Sequence, residues 1–154
     1  MKCLFPFVIA ATVGSAAHAQ DAYVGAGLDY HYPHSGDGQT VTSVIGGLGF
    51  DTGYFGIGAE AEYGLRVGGD NDYDTARVGG WLSYDWSDYT FRVSGGITEY
   101  YFEDDNAGGF NFGLAAEREV SPNLVLRGGF IRDFMDDIFT EAVTTTRIAV
   151  LYSF

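Results

Sequence analysis

A histidine and a serine are the side chains in this sequence whose types could support nucleophilic catalysis. A neutral imidazole that accepts a proton from a serine hydroxyl activates that oxygen for attack on an acyl carbon. His31 and Ser43 occupy the polar face of two alternating segments, so both are expected to point into the same interior. His34 falls in a connection with proline and glycine neighbours. We expect no catalytic site, and we interpret His31 as an interior hydrogen-bonding residue.

Acidic and basic side chains recur on the polar face of the same segments. Glu60 and Glu62 lie two residues apart, so they share one face of a strand, where paired carboxylates could serve as general acid and base. Arginines occupy the matching face elsewhere, and an enclosed carboxylate without a partner is costly. We therefore expect an ion-pair network rather than an acid–base pair. Its predicted members are Asp29, Glu60, Glu62, Glu117 and Asp133 with Arg66, Arg77, Arg92, Arg127 and Arg147.

Three aspartates at alternate positions form a weak candidate for a metal site. Asp70, Asp72 and Asp74 could offer oxygen ligands to Ca²⁺ or Mg²⁺. The segment lacks the distal bidentate glutamate of the usual calcium loop, so we predict a solvated turn and no metal site. The glycine repeats have strand spacing and precede no helix, which argues against a phosphate-binding loop. Cys3 is the only cysteine, and we expect no cofactor.

Eight segments of alternating apolar and polar residues position these side chains. Alternation with period two is typical of strands that have two unlike faces. Turn residues such as Asp51-Thr52-Gly53 and Ser121-Pro122-Asn123 lie between the segments. Tilted strands of ~9–11 residues suffice to cross a bilayer. The segments are 22–32, 41–50, 55–66, 76–84, 89–98, 110–117, 124–133 and 145–154.

The start of the chain has the features of a secretory signal. Lys2 precedes an apolar run, and Ala17-His18-Ala19 resembles a small-residue cleavage site. The run is too short for a transmembrane helix, which needs ~20 residues. We therefore divide the chain into a cleaved signal peptide, 1–19, and one β-barrel domain, 20–154. The sequence of 154 residues carries a net charge of −13, which excludes an electrostatic nucleic-acid binder.

Three features indicate that the apolar face of the strands points outward to lipid. The polar face is mostly Gly, Ser, Thr and Ala, as the narrow interior of an eight-stranded barrel requires. Lys2 is the only lysine, whereas a soluble outer face would be rich in lysine and glutamate. Aromatic residues gather at the strand ends on the apolar face, as in the girdles of membrane barrels. The predicted fold class is all-β: an eight-stranded antiparallel up-and-down transmembrane β-barrel.

The last predicted strand carries apolar residues at alternate positions. Ile148, Val150, Tyr152 and Phe154 resemble the C-terminal signal that the barrel-assembly machinery reads in bacterial outer-membrane proteins. Residues 47–60 resemble a hairpin common in small barrels of this kind. The sequence resembles the eight-stranded outer-membrane family that contains the OmpA transmembrane domain, OmpX-like proteins and opacity-type proteins of the porin family. The resemblance implies a location in the outer membrane of a Gram-negative envelope, with the barrel-assembly machinery, outer-membrane lipid and lipopolysaccharide as partners.

The connections on one side of the predicted barrel are acidic. They contain 12 of the 21 acidic residues and neither Arg nor Lys. Carboxylates and lipopolysaccharide phosphates repel unless cations intervene, so we expect weak, non-specific contact with divalent cations. If the chain starts in the periplasm, the connections that face the cell exterior are 33–40, 67–74, 99–107 and 133–141.

The expected function is non-enzymatic. Large side chains, among them Tyr23, Trp81 and Tyr100, are expected to plug the lumen together with the ion pairs, which leaves at most a small conductance. The protein would then contribute to outer-membrane structure and to the properties of the cell surface. Adhesion or ligand contact would take place through the loops.

Two other functions remain open at this point. A secreted soluble barrel of the lipocalin type would enclose the apolar face, bind a small apolar ligand and fold without detergent. A barrel enzyme that modifies lipid A would need a serine and a histidine on the lipid-facing wall near the outer rim. The last predicted strands contain no histidine, which disfavours the enzyme.

Overall fold

The computed structural model describes residues 20–34, 37–68, 73–103, 105–135 and 142–154. The predicted signal peptide, 1–19, lies outside the described residues. Within the described ranges, no helix is long and apolar enough to cross a membrane. The strands are β1 (Gln20–Pro33), β2 (Gln39–Asp51), β3 (Phe55–Gly68), β4 (Asp74–Trp86), β5 (Tyr89–Tyr101), β6 (Asn106–Ser121), β7 (Leu124–Met135) and β8 (Val143–Ser153).

The strands form one closed barrel in chain order. Each strand pairs antiparallel with its neighbours in the sequence, and β1 also pairs with β8, from Tyr23 opposite Ser153 to Pro33 opposite Val143. Closure removes the free edges of the sheet, so the backbone groups of every strand can be paired within the barrel. The predicted fold class, an all-β eight-stranded antiparallel barrel, is confirmed.

The strands are longer than the alternating segments, with 11 residues in β8 and 16 in β6. The sequence predicts 110–117 for the sixth strand, whereas β6 spans Asn106–Ser121. Pairing extends beyond the apolar stretch because ladder hydrogen bonds join backbone groups and do not require apolar side chains. All strands except β8 exceed the ~9–11 residues that cross a bilayer, so the barrel is taller than an apolar membrane core.

Short turns and the ends of the described chain lie on one side of the barrel, here called the turn end. The Gly53 N–H donates a hydrogen bond to Asp51 Oδ1 (2.6 Å), and Gly53 has a φ of 104°, a conformation that favours glycine. Ser87 has a φ of 58° in the two-residue turn between β4 and β5. The longer connections, which follow β1, β3, β5 and β7, lie at the opposite side, the loop end.

The two faces of the barrel have the reverse polarity of a soluble protein. Leu28, Ile97 and Phe130 on the outer face are 58%, 68% and 61% exposed. Asp29 and Arg77 in the interior are 0% and 5% exposed. The face that the alternation assigns to lipid is therefore the outer face of the barrel.

Aromatic side chains on the outer face gather near the two ends of the barrel. Such rings favour the depth of lipid headgroups because one end of the side chain is apolar and the other is polar. Between the two belts the outer face is mainly aliphatic. The turn-end belt comprises Phe50, Phe55, Tyr84, Trp86, Tyr89, Phe91, Tyr152 and Phe154, and the loop-end belt Tyr30, Tyr32, Tyr63, Phe110, Phe112 and Phe134.

Buried apolar side chains occupy the lumen toward each end. Glycines on the inner face make room for the largest rings, since a Cβ at Gly58 would overlap the Trp81 indole and a Cβ at Gly47 would overlap the Tyr23 ring. The lumen is thus filled by side chains, as expected for a barrel of this strand number. One cluster contains Tyr23, Ile45, Trp81, Ala149 and Leu151, and the other contains Tyr73, Tyr100, Ala107 and Val143.

Candidate functional site in the barrel lumen

Charged side chains from most of the strands converge between the two apolar clusters. Their positions alternate along each strand with inward-facing period two, so the closed sheet directs them all to the lumen. The structure arranges them in two groups. The loop-side cluster comprises Asp29, Glu62, Arg77, Asp133 and Arg147, and the turn-side cluster comprises Glu60, Arg92, Glu117 and Arg127.

Arg147 joins two carboxylates in the loop-side cluster. Its Nε donates to Asp29 Oδ1 at 2.7 Å and its Nη2 donates to Asp29 Oδ2 at 2.6 Å, a two-pronged contact that suits the planar guanidinium. Arg147 Nη2 also donates to Glu62 Oε1 at 2.8 Å. Glu62 in turn accepts a hydrogen bond from Arg77 Nη1 at 2.5 Å. Glu62 therefore links the two arginines of the cluster.

Asp133 is surrounded by four donor groups in the same cluster. Arg77 donates to it through Nε (3.0 Å) and Nη2 (2.7 Å). The hydroxyls of Thr98 and Tyr100 donate at 2.7 Å and 2.9 Å. A fully buried carboxylate with this many donors is stabilised in its ionised form.

The turn-side cluster also pairs arginines with carboxylates, and aromatic side chains lie against it. Arg127 donates to Glu60 Oε2 at 2.7 Å and to Glu117 Oε1 at 2.6 Å. Arg92 Nη2 donates to Glu117 Oε2 at 3.2 Å, and its guanidinium lies 4.0 Å from the Trp81 ring centroid. Stacking of this kind adds cation–π attraction to the ion pairs. Glu60 also accepts a hydrogen bond from the Tyr23 hydroxyl at 2.5 Å.

Arg66 is the predicted member that these clusters do not include. Its side chain is exposed at the loop end, where its pair with Val41 is followed directly by an irregularity in the β2–β3 register between Val41 and Thr40. The alternation assigns Arg66 to the inner face, but the structure leaves its side chain exposed although its ladder partner Val41 is buried. The predicted network of five acidic residues and five arginines therefore needs correction, since the two clusters hold five carboxylates and four arginines. The hydroxyls of Thr98 and Tyr100 donate hydrogen bonds to Asp133 and so help to stabilise the additional negative charge.

Two small cavities lie on either side of Trp81. The cavity between the charged clusters has a volume of about 60 Å³, enough for about two waters at ~30 Å³ each. The second, at the turn end, has a volume of about 220 Å³ and is lined by Asp85, Glu119 and other polar residues. Trp81 and Arg92 line both cavities, so this stacked pair separates the charged interior from the turn-end opening.

Several solved structures with the same architecture are outer-membrane barrels. Neisserial surface protein A matches with a TM-score of 0.60 and 12% identity over 88% of this chain and 97% of that one. The N-terminal β-barrel domain of Pseudomonas aeruginosa OprF matches with a TM-score of 0.61 and 10% identity, over 86% and 97% of the two chains. This chain has the fold of the small outer-membrane β-barrels. The predicted resemblance is confirmed at the level of the fold.

A third solved structure with this outer-membrane barrel fold is Ail, the attachment invasion locus protein of Yersinia pestis, in complex with the heparin analogue sucrose octasulfate. It matches with a TM-score of 0.55 and 11% identity, over 88% of this chain and 97% of that one. No protein-family model matches the sequence, and a search of curated proteins finds no significant match. At these identities the likeness concerns the fold alone.

The barrel fold separates Ser43 and His31, the two residues that the sequence suggests as a possible nucleophile and base. Ser43 lies opposite Gly27 in the β1–β2 ladder and His31 lies opposite Gln39, four positions further along, a distance of ~13 Å at 3.3 Å per residue. His31 instead has its Nδ1 3.2 Å from the Tyr73 hydroxyl. The interpretation of His31 as an interior hydrogen-bonding residue agrees with this contact.

Tyr73 closes the lumen above His31. Its ring lies 5.8 Å from the His31 ring in a stacked arrangement, and its carbonyl oxygen accepts a hydrogen bond from Gln39 Nε2 at 2.9 Å. Burial raises the pKa of the Tyr73 hydroxyl well above its usual value, so this group stays protonated. The loop end of the lumen is thereby packed with neutral aromatic and amide groups.

The weak metal candidate is only partly within the described residues. Asp70 and Asp72 lie outside them. The carboxylate of Asp74 accepts a hydrogen bond from the Arg66 backbone N–H at 3.2 Å. Among the residues that the structure describes, no group of three or more His, Cys, Asp or Glu side chains is arranged to hold a metal ion.

The residues of the predicted assembly signal lie on the outer face of the barrel. Ile148, Val150, Tyr152 and Phe154 are all exposed on β8 or directly after it. The rings of Tyr152 and Phe154 meet edge to face, 5.3 Å apart, and the Phe154 N–H donates to the Ala22 carbonyl at 3.0 Å. Their recognition by the barrel-assembly machinery stays a prediction.

Sequence reasoning did not single out the neutral partners of the ion pairs. Thr98 and Tyr100 donate to Asp133, and Tyr23 donates to Glu60, yet hydroxyls on an inner face are too common to predict such roles individually. Alternation could have identified another group. Arg118 and Arg132 fall on the apolar face by their even spacing from Leu114 and Phe130, and both are exposed on the outer wall.

Proposed function

We propose that the protein is a non-enzymatic barrel of the bacterial outer membrane, with a closed lumen, that contributes to the structure and surface properties of the envelope. The observation that carries the proposal is the inverted polarity of the barrel, with ion pairs enclosed and aliphatic and aromatic side chains exposed. In a membrane the outer face is solvated by acyl chains, and closure satisfies the backbone. In this orientation the turn end faces the periplasm and the loop end the exterior.

The alternative of a soluble lipocalin-type barrel fits this structure poorly. A soluble barrel needs an apolar interior to bind an apolar ligand, whereas this lumen contains the two charged clusters. Its outer wall would expose a continuous band of residues such as Leu28, Val78 and Ile97 to water. Soluble monomers rarely expose apolar patches larger than a few hundred Å².

Detergent dependence tests the proposed location directly. We expect the purified chain to fold only in micelles or lipid, because without them its apolar outer wall would be exposed to water. Far-UV circular dichroism and the mobility of unboiled samples on gels would report β-structure and a compact, heat-modifiable barrel. A native monomer in detergent-free buffer would contradict the proposal and restore the soluble alternative.

The absence of enzymatic activity is supported by the arrangement of the candidate groups. His31 and Ser43 are both fully buried in the lumen, His31 contacts Tyr73, and Ser43 Oγ makes no hydrogen bond to the described residues, so within that part of the chain they form no nucleophile–base pair facing lipid. The composition of lipid A from cells with and without the protein is expected to be the same. A difference in acyl chains that depends on His31 would support the lipid A enzyme instead.

The negative charge of the loops limits the kinds of partner that can bind the protein at the cell exterior. Ail is solved with a sulfated polyanion, but the predicted exterior connections of this chain contain 12 acidic residues, of which Asp133 is buried in the lumen, and neither Arg nor Lys. We propose that loop contacts, whether with lipopolysaccharide or with an adhesion partner, depend on divalent cations or on cationic groups of the partner.

Heparin chromatography at physiological ionic strength checks this proposal. We expect the folded barrel to pass through a heparin column in detergent, because like charges repel across the loop surface. Isothermal calorimetry with Mg²⁺ is expected to show weak heats that high salt suppresses. Retention on heparin without added cations would contradict the proposed loop chemistry.

A further inference from the structure

A groove on the outer wall interrupts the otherwise convex apolar band. It lies in the turn-end half of the barrel, crosses the outer face from β3 to β7 and has a volume of about 680 Å³. Small-molecule sites commonly measure ~300–1,000 Å³, so the groove is large enough for a ligand of that size. Its walls include Phe55, Leu82, Tyr84, Val93, Leu114 and Phe130.

Two small residues create the floor of the groove. Ala116 on β6 lies directly opposite Gly128 on β7, and both residues are at positions whose side chains face outward. A Cβ built on Gly128 would meet no atom within 4 Å, so the space above this glycine is open. The large side chains of Leu114 and Phe130 form the next pair toward the loop end, and Phe91 lies beside Ala116 on β5. The groove therefore exists because two small residues are surrounded by large side chains.

A cation, Arg118, lies just beyond the turn-end mouth of the groove, whose lining does not include it. Arg118 follows Ala116 by two residues on the same outward face, a spacing of ~7 Å along the strand. Its guanidinium lies 5.5 Å from the ring centroid of Tyr89, which belongs to the turn-end aromatic belt. That belt marks the depth of lipid headgroups in a membrane barrel. The described residues give Arg118 this aromatic contact and no ion pair.

We propose that the groove binds one anionic phospholipid, with an acyl chain over Ala116 and Gly128 and the phosphate at Arg118. The inference rests on the proposed function, because it requires the outer wall to lie in a membrane. The apolar walls match an acyl chain, and the charge at the mouth matches a phosphate at headgroup depth. A second copy of the chain fits less well, since two-fold pairing of this face would bring two Arg118 guanidiniums toward each other.

Native mass spectrometry of the folded barrel in non-ionic detergent tests the site. Phosphatidylglycerol or phosphatidylcholine is titrated into delipidated protein, and bound lipids are counted as mass adducts. We expect one phosphatidylglycerol to bind about tenfold more tightly than phosphatidylcholine, a difference of ~1.4 kcal/mol. Gly128→Leu fills the groove and should weaken both lipids about tenfold or more. Arg118→Gln should weaken phosphatidylglycerol more than phosphatidylcholine, whose choline already offsets the phosphate charge, and so remove the preference for phosphatidylglycerol.

Gly46→Leu is the matched control. Gly46 also faces outward with no atom within 4 Å of an added Cβ, but it lies on β2, on the opposite wall. This variant should bind lipid as the wild type does. Unboiled gel mobility checks folding, and Ala116→Leu replaces Gly128→Leu if the latter does not fold.

Equal lipid binding by the wild type and the groove-filling variants would overturn the inference. Retention of the phosphatidylglycerol preference by Arg118→Gln would do the same, and a dimer without lipid adducts would identify a second copy as the occupant. A barrel that folds in micelles but binds no lipid contradicts this inference alone. A barrel that is native without detergent contradicts the proposed function.

Discussion

Replacing Arg147 with alanine is expected to lower the free energy of unfolding by about 3–5 kcal/mol. The guanidinium is 4% exposed and is the ion-pair partner of Asp29. Its removal leaves Asp29 and part of the Glu62 hydrogen-bonding capacity uncompensated in the lumen, where water cannot replace the lost donors. Urea unfolding of the barrel in lipid vesicles, followed by circular dichroism, measures the effect.

Arg132→Ala is the matched control for this prediction. Arg132 lies exposed on the outer wall and donates to the Thr144 hydroxyl, so its loss should cost less than about 1 kcal/mol. The double variant Arg147→Met/Asp29→Leu removes both partners of the two-pronged contact and leaves Glu62 paired with Arg77. It should recover part of the loss, because a buried ion pair is replaced by apolar packing. Equal urea midpoints for wild type and Arg147→Ala would mean that the clusters are hydrated.

Replacing Trp81 with alanine is expected to destabilise the barrel by about 3–5 kcal/mol. The indole is buried against Tyr23, Leu151 and the Arg92 guanidinium, and no backbone movement within a closed sheet can easily refill its volume. The change also joins the cavity of about 60 Å³ to the turn-end opening of about 220 Å³. Water then reaches the turn-side cluster and weakens its ion pairs.

Trp86→Ala provides the comparison, because Trp86 is 65% exposed on the outer face. Its loss should change the urea midpoint far less than the loss of Trp81. In planar bilayers both the wild type and Trp81→Ala should conduct little, since Tyr73, Tyr100 and Val143 still fill the loop end. A stable Trp81→Ala variant would argue against close packing of the lumen, and a large wild-type conductance would contradict a closed lumen.

The alternation of residue types predicts all eight strands and assigns their faces because period two is a local property of the chain. The ends of the strands are less predictable. Arg66 shows why: the alternation continues through it, but the β2–β3 register becomes irregular directly after its pair with Val41, and its side chain is exposed. Whether a side chain near the end of a strand is buried depends on how the neighbouring strands pair around it. The sequence of one strand does not contain that information.

The pairing within the charged clusters also exceeds what the sequence can predict. Arg147 and Asp29 meet because β8 closes against β1 in a register that places them directly opposite, although 118 residues separate them. Arg77 reaches Asp133 across the lumen, from β4 to β7. Such contacts depend on the diameter and stagger of the barrel, which belong to the closed sheet as a whole.

The closure of β1 against β8 has a consequence for the order of folding. β1 cannot complete its hydrogen bonds until β8 arrives, so the contacts that seal the sheet have the greatest sequence separation in the molecule. Until that moment both terminal strands present open edges that another polypeptide could extend. Conditions that slow the arrival of β8 should therefore favour intermolecular association over maturation, even though every individual hairpin forms from neighbouring residues.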